Sequence, residues 1–406
     1  MALIVQKFGG TSVADLDRIA NVARRVAALK DKGNDTVVVV SAMAGETDRL
    51  LGLAGKIIST PTEREVDVLI STGEQVTVAL LAITLESMGY TARSYCGWQI
   101  PIITDNSYGS ARITEVKREA ITADLADGNI VIVAGFQGVD QEGNITTLGR
   151  GGSDTSAVAV AAALKADLCE IFTDVDGVYT TDPRITVKAR KLKRIAYEEM
   201  LEMASLGAKV LHIRAVEMAM RHSVPFVVRS SFNDHEGTLV TEESVDMERE
   251  SVRAVTCNMR EAKITFSGVE DKPGVASLIF TALAEANVVV DMIIQNSSAD
   301  GFTDITFTIP DADLAKSLEI CRGIQEHLHA REVTGSNDIA KVSIIGLGMR
   351  SYSGVAAKMF SILSREGINI EMISTSEIKI SCVVRKKYAE LAVRALHEAF
   401  ELEKVA

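Results

Sequence analysis

The chain begins with the run LIVQKFGGTS, Leu3 to Ser12, and how this run is read decides the fold. Leu3 to Val5 make a short apolar strand, and the Gly9-Gly10 pair behind Lys7 lets the backbone turn sharply or approach a ligand closely. In open α/β sheets, ligands bind where strands end in this way. By itself the stretch fits a strand-ending turn beside a solvated lysine better than a ligand site. Ser12 has two readings, a ligand contact or the start of a helix at Val13.

The pattern that follows favours an α/β sheet. Thr36 to Val40, Ile130 to Ala134, Glu170 to Thr173 and Pro225 to Arg229 are short β-branched runs. Helical patterns alternate with them at Leu16 to Lys30, Val76 to Met88, Ser153 to Ala166 and His212 to Arg221. Such alternation predicts βαβ units and a mostly parallel sheet covered by helices on both faces. This first domain is expected over residues 1–240, followed by a charged linker at 241–251 (TEESVDMERES).

Beyond the linker the sequence repeats itself. GVASLIFTALAEANVVVDMI from Gly274 aligns with GVAAKMFSILSREGINIEMI from Gly354, an offset of 80 residues. Each copy reads strand, glycine turn, helix, strand, strand, helix. In the first copy the stripe Val275, Leu278, Ile279, Ala282 and Leu283 is expected to pack on a sheet. The first copy ends in a fourth strand near Glu332 to Thr334, and the second stops after its last helix. The orphan run Val252 to Asn258 is expected to supply the missing strand. The first repeat, 263–337, is therefore read as inserted into the second, 252–262 plus 338–406.

Composition bounds the chemistry. The 406 residues are 47% hydrophobic and 24% charged, which is globular, and two to four domains suit the length. A net charge of −12 argues against a nucleic-acid partner. Apolar runs such as Ala157 to Leu164 fall short of a membrane span. The five scattered cysteines suggest reduced thiols, and without a signal-peptide pattern the chain reads as cytoplasmic. Walker-type, protein-kinase and zinc-hydrolase motifs are all missing, and no nucleophile–base pair is evident.

Two dense polar stretches remain. In TTLGRGGSDTSAVAVAAAL, Thr146 to Leu164, the backbone N–H groups of Gly149, Gly151 and Gly152 at a helix start favour an anion, and Arg150 is shaped to grip a carboxylate or phosphate. Ser153 and Asp154 stand where the helix begins, so Asp154 also fits an N-cap. In FTDVDGVYTTDPR, Phe172 to Arg184, acidic groups, a tyrosine and an arginine follow a buried strand. Asp174 and Asp182 suit Mg²⁺ or lysine partners there, and Arg184 suits phosphates. A helix N-terminus stabilises an anion by only about 0.3–2 kcal/mol. Phosphoryl transfer needs several cations acting together on the developing charge and no protein nucleophile.

Six ordered motifs carry a family resemblance: KFGGTS at Lys7 to Ser12, VVVSAM at Val38 to Met43, STGEQ at Ser71 to Gln75, TTLGRGGSDTSA at Thr146 to Ala157, TDVDGVYTTDPR at Thr173 to Arg184, and GAKVLH at Gly207 to His212. Together they resemble the aspartate kinases of the amino-acid kinase fold, and the two repeats resemble ferredoxin-like ACT domains. The resemblance implies a monofunctional enzyme that phosphorylates the β-carboxylate of L-aspartate with ATP and Mg²⁺, the metal arriving on ATP with no direct protein ligands. This would be the first step toward lysine, threonine and methionine. The alternatives are a kinase of another amino acid and a non-catalytic amino-acid sensor.

Residue by residue, the resemblance makes Lys7 the contact to the transferring phosphoryl group, with Phe8, Gly9 and Gly10 beside it and Asp154 positioning it. Ser41, Thr47, Glu74, Arg150, Gly151, Gly152 and Ser153 would hold aspartate, Glu74 reading its amino group and Arg150 its α-carboxylate. Thr173, Asp174, Tyr179, Asp182, Arg184 and Lys209 would line the nucleotide pocket. Effector residues, for lysine and/or threonine, would be Asp271, Gly274, Val275, Ala276, Asp291, Met292 and Gln295 in the first repeat, and Asn369, Ile370, Ser374, Thr375 and Ser376 in the second. Met292 and Ile293 also suit the core. A homo-oligomer through exposed sheet edges is expected, and Met247 and Met259 are candidate starts for a regulatory-only subunit.

Overall fold

The computed structural model describes residues 1–206, 211–243, 251–297, 301–350 and 352–404. Lys209, Met247 and most of the linker and of the GAKVLH motif lie outside them. The chain divides into two compact units.

The first unit runs β1 (Leu3–Phe8), α1 (Leu16–Asp31), β2 (Asp35–Val40), α2 (Glu46–Ile57), α3 (Glu63–Ile70), α4 (Thr72–Ser87), β3 (Ala92–Tyr95), β4 (Ile102–Thr104), β5 (Ile113–Val116), α5 (Glu119–Ala126), β6 (Ile130–Ala134), β7 (Gln137–Val139) and β8 (Ile145–Thr147). It continues through α6 (Gly152–Leu164), β9 (Leu168–Thr173), β10 (Arg194–Ala196), α7 (Tyr197–Ser205), α8 (Ile213–Arg221), β11 (Phe226–Ser230) and β12 (Thr238–Thr241). Among the described residues, eight strands form one sheet in the order β10-β12-β11-β9-β1-β2-β6-β3, parallel except for the β11–β12 pair. Val37 to Val40 and Ile130 to Ala134 are buried along their whole length, as strands covered on both faces must be. Phe8 and Phe172 stack at 4.5 Å between ring centroids in the core that α1 and α4 cover.

A smaller sheet, β5-β4-β7-β8, carries the chain into the glycine-rich loop before α6. Its three- and four-residue strands gave no sequence signal. Ala157 to Leu164 stays within the 13-residue α6, but a different helical stretch, Glu63–Ser87, has the length and apolarity to cross a membrane. Half of it is buried inside the protein, and Val78, Leu81, Ala82 and Leu85 belong to the core under the sheet.

The second unit comprises β13 (Ala254–Glu270), α9 (Val275–Glu285), β14 (Ile293–Ser297), β15 (Phe302–Pro310), α10 (Leu314–Gln325), β16 (Glu332–Ile345), α11 (Val355–Arg365), β17 (Ile370–Thr375), β18 (Lys379–Arg385) and α12 (Ala389–Ala399). Its sheet has the order β14-β15-β13-β16-β18-β17. The long strands β13 and β16 each serve two cores. Ala254 to Asn258 pairs with Lys341 to Ile345, and Val252 and Val255 pack with α11 and α12. Ala262, Ile264 and Phe266 pack with α9 and α10.

The helix stripe expected in the first repeat is rotated. Val275, Ile279 and Leu283 are buried, but Leu278 is 56% exposed. Phe280 takes its place, edge-on to Phe307 at 5.4 Å on the side where α10 packs. The core reading of Ile293 is corrected too. Strand alternation turns Met292 inward, onto Ile339, Met372 and Val383, and leaves Ile293 52% exposed.

Residues 179–190, expected in the first domain, group with the second unit. Val255 N–H donates to Thr180 O at 2.8 Å, Thr180 Oγ1 bonds His397 Nε2 at 2.9 Å, and Ile185 joins the core of α11 and α12.

Candidate active site

Parallel pairing brings the ends of β1, β2 and β9 level, with Lys7 beside Val39 and Ile171. From the end of β1, Lys7 reaches Asp154 in the first turn of α6, with Nζ 2.6 Å from Oδ1. The contact is an ion pair without hydrogen-bond alignment, since Oδ1 has no hydrogen-bond partner. Asp154 is not an N-cap. The capping position belongs to Gly151, and no side chain caps the helix.

From β2 the chain passes to Ser41, whose hydroxyl donates to Ser153 Oγ at 2.9 Å. The next residue, Ala42, donates its N–H to Glu74 Oε1 at 2.9 Å. Gly73 permits this approach, because a Cβ there would lie 2.8 Å from that of Ala42. Thr47 stands half-buried in the first turn of α2. Lys7, Asp154, Ser153, Ser41, Ala42 and Glu74 are thus joined through successive contacts or chain neighbours at one end of the sheet.

Glu74 is 2% exposed, and its second oxygen, Oε2, has no partner. Burial pushes its carboxyl up to about 8 despite the Ala42 N–H. An ammonium group is the natural complement of such an oxygen. Arg150 is exposed, with no described group pairing its guanidinium. Gly151 before α6 has φ +69°, and a Cβ would sit 2.2 Å from that of His212. Only glycine fits there.

Some expected contacts differ. Gly152 N–H is committed to Gly149 O at 3.0 Å, so it is not an open anion donor. The Phe8 side chain is fully buried and stacked on Phe172, which leaves only its backbone to serve a ligand. Its carbonyl already accepts from Ser41 N–H at 3.1 Å. Ser12 lies inside a short 3-10 turn, Gly10–Val13, rather than at a helix start, and α1 begins at Leu16 behind the cap Asp15. Its hydroxyl shares a 2.5 Å hydrogen bond with Ser231, and Ser231 in turn bonds Thr173 O. Ser231 and Arg214 carried no motif. Arg214 donates to Leu148 O at 2.5 Å and to Ala111 O at 2.6 Å, holding the loop that leads to Arg150.

Of the expected nucleotide residues, Thr173 ends β9 and Asp174 follows it, with the threonine hydroxyl 3.1 Å from the aspartate. Tyr179, Asp182 and Arg184 lie in the second unit. There Arg184 Nη2 bonds Asp182 Oδ2 at 2.6 Å, holding that carboxyl below its usual range. Among the described residues no three His, Cys, Asp or Glu side chains converge to hold a metal ion.

In the second unit, Asp271, Lys272, Pro273, Gly274, Val275, Ala276 and Gln295 line one hollow, and Asn369 and Ile370 line another with Lys263, Glu371, Arg385 and Tyr388. Val275 and Met292 spend their side chains on the core. Asp291 is paired with the buried Lys341. Ser374, Thr375 and Ser376 close β17 at the turn to β18, with Ser376 N–H on Lys379 O.

The amino acid kinase family model matches residues 2–230, and an ACT domain model matches 264–323 and 342–400. An aspartate kinase of Stutzerimonas stutzeri is 57% identical over 404 residues, covering 99% of this chain and 98% of its own. This chain belongs to the aspartokinase family. An aspartokinase of Pseudomonas aeruginosa is also 57% identical, over 99% of this chain and 98% of its own. Among solved structures, E. coli aspartokinase III in complex with aspartate and ADP has a TM-score of 0.81 at 28% identity, covering 98% of this chain and 99% of that one. The same enzyme with lysine and aspartate gives 0.77 at 29%, with the same coverage. As an aspartokinase, the chain is a two-part α/β kinase with C-terminal ACT domains that uses ATP.

Proposed function

We propose that this chain transfers the γ-phosphoryl group of ATP to the β-carboxylate of L-aspartate, giving 4-phospho-L-aspartate and ADP. The observation that carries this reading is the buried, unpartnered Glu74 Oε2, linked through Ala42, Ser41 and Ser153 to the Lys7–Asp154 pair. Glu74 receives the substrate ammonium, Arg150 its α-carboxylate, and Ser41, Thr47 and Ser153 supply polar contacts. Lys7 meets the charge that develops on the transferring group, with Gly9 and Gly10 beside it, and Asp154 orients the lysine. No protein nucleophile is needed, because positioning and charge carry this chemistry.

Thr173, Asp174, Tyr179, Asp182, Arg184 and Lys209 are the proposed nucleotide residues. The metal of this reading is Mg²⁺, entering on the nucleotide as Mg–ATP. Lysine and/or threonine are the proposed inhibitors, bound at the hollow of Asp271 to Ala276 and Gln295 and at the second repeat's Asn369, Ile370 and Ser374 to Ser376. A cytoplasmic homo-oligomer, paired through the repeats, completes the reading. Strands β14 and β17 support it, since they form the two edges of the sheet among the described residues.

The test is chemical. With Mg–ATP, L-aspartate and hydroxylamine, the chain should form aspartyl hydroxamate, which needs an acyl phosphate. Trapping with another acid and none with aspartate would overturn the substrate.

A further inference from the structure

Asp67 lies on α3 with no exposed surface, and no cation pairs with it among the described residues. Its carboxylate instead accepts from three donors, on the Gly109 loop and on the end of β8. Gly109 N–H lies 3.1 and 3.0 Å from its two oxygens, Thr147 N–H lies 2.8 Å away, and the Thr147 hydroxyl 2.7 Å. Burying a carboxylate among neutral donors is costly, but this one satisfies two backbone N–H groups and a hydroxyl that would otherwise lack this partner. What the carboxylate provides is a fixed position for the two segments that carry them.

The position matters because of what stands on either side. Thr147 ends β8 three residues before Arg150, and Gly109 is packed against the same loop, with its carbonyl 2.9 Å from where a Cβ on Gly149 would be. Asp67 itself stands seven residues before Glu74, and α3 runs into α4 at Ser71. We propose that Asp67 is a positioning residue that fixes the Arg150 loop against the helix pair carrying Glu74. It thereby sets the separation between the groups that read the α-carboxylate and the α-ammonium of the amino-acid substrate. The proposal rests on the roles given above to Glu74 and Arg150. Small misplacements of such readers cost far more than their size suggests.

Steady-state kinetics of the full chain test it. Asp67→Ala should raise the KM for aspartate about tenfold or more, while the KM for ATP stays within about twofold and kcat falls only a few-fold. Asp67→Asn keeps an acceptor for Thr147 N–H and should recover most of the loss. Thr147→Val removes only the hydroxyl bond and should raise the same KM by a smaller factor. Melting curves accompany each variant. If Asp67→Ala does not fold, Thr147→Val decides the matter, since it removes the hydroxyl bond alone. Equal rises in both KM values, or an unchanged aspartate KM in folded Asp67→Ala and Thr147→Val, would overturn the proposal. Arg150→Ala and Glu74→Gln separate the two levels. If they leave the aspartate KM unchanged, the reader roles fall and the positioning role falls with them. If they raise it while the Asp67 and Thr147 variants do not, only the positioning role falls.

Discussion

Lys7 Nζ and Asp154 Oδ1 lie 2.6 Å apart with side chains only 10% and 13% exposed, one at the end of a strand and the other in the first turn of a helix 147 positions later in the chain. A lysine held this way keeps its charge out of bulk water and aimed at one place. Lys7→Ala should therefore lower kcat by about a hundredfold or more, the scale seen when one preorganised charge-stabilising group is removed. Binding of lysine or threonine to the second unit should survive. Equal loss of turnover and of inhibitor binding, measured by kinetics and by calorimetry, would instead make Lys7 structural.

Glu74 predicts a proton movement. Its carboxyl is raised by burial from 4.5 to about 8, so near pH 7 the folded chain holds a proton that the unfolded chain has lost. This group's contribution to stability should fall as pH rises from about 4.5 through about 8, because the folded state binds the extra proton across that window. An ammonium placed on Oε2 favours the carboxylate. Aspartate binding at pH 7 should release close to one proton, read by calorimetry as an enthalpy that varies with the ionisation enthalpy of the buffer. In Glu74→Gln that buffer dependence should vanish.

The kinase sheet was legible because its strands are unbroken β-branched runs with helical patterns between them, and an 80-residue offset exposed the repeats. Less legible was anything that depends on distant partners. Asp67 sits in EREVDVLI, where an aspartate reads as part of a solvated face until Thr147 and Gly109 are brought onto it. Arg214 and Ser231 likewise act on segments 66 and 219 residues away, with no local pattern to mark them. Helical spacing marked Leu278 and Ile279 alike as apolar, but only the packing of the sheet and helices around α9 decides that Ile279 goes inward and Leu278 out.

The two repeats exchange ion pairs, and the exchange is unequal. Lys263 reaches Glu371 at 2.5 Å with side chains 28% and 17% exposed, whereas Lys341 bridges Asp291 and Glu261 with only 3% of its own side chain exposed. Replacing Lys341 by Met strands Glu261, which is 7% exposed, without its cation. The loss should be about 3–5 kcal/mol, typical of a broken buried pair. For Lys263→Met about 1 kcal/mol is expected, because water reaches that pair. Chemical denaturation of the two variants should rank them in this order, and the reverse ranking would mean that the Lys341 cluster is held by packing alone.

Asp271 offers the sharpest separation of regulation from turnover. It is exposed, its N–H is tied to Gly301 O at 2.9 Å, and it lines one hollow with Gly274, Ala276 and Gln295. A carboxylate beside open backbone suits the ammonium of an amino-acid effector, and a hydrogen bond to a charged group contributes about 1.5–3 kcal/mol. Asp271→Ala should therefore raise the lysine or threonine concentration needed for half-inhibition about tenfold or more, with kcat and the KM for aspartate unchanged without effector. Inhibition curves for each amino acid, alone and together, measure the shift. A variant with normal inhibition would remove Asp271 from the effector site, and one with reduced uninhibited kcat would show that the hollow bears on catalysis itself.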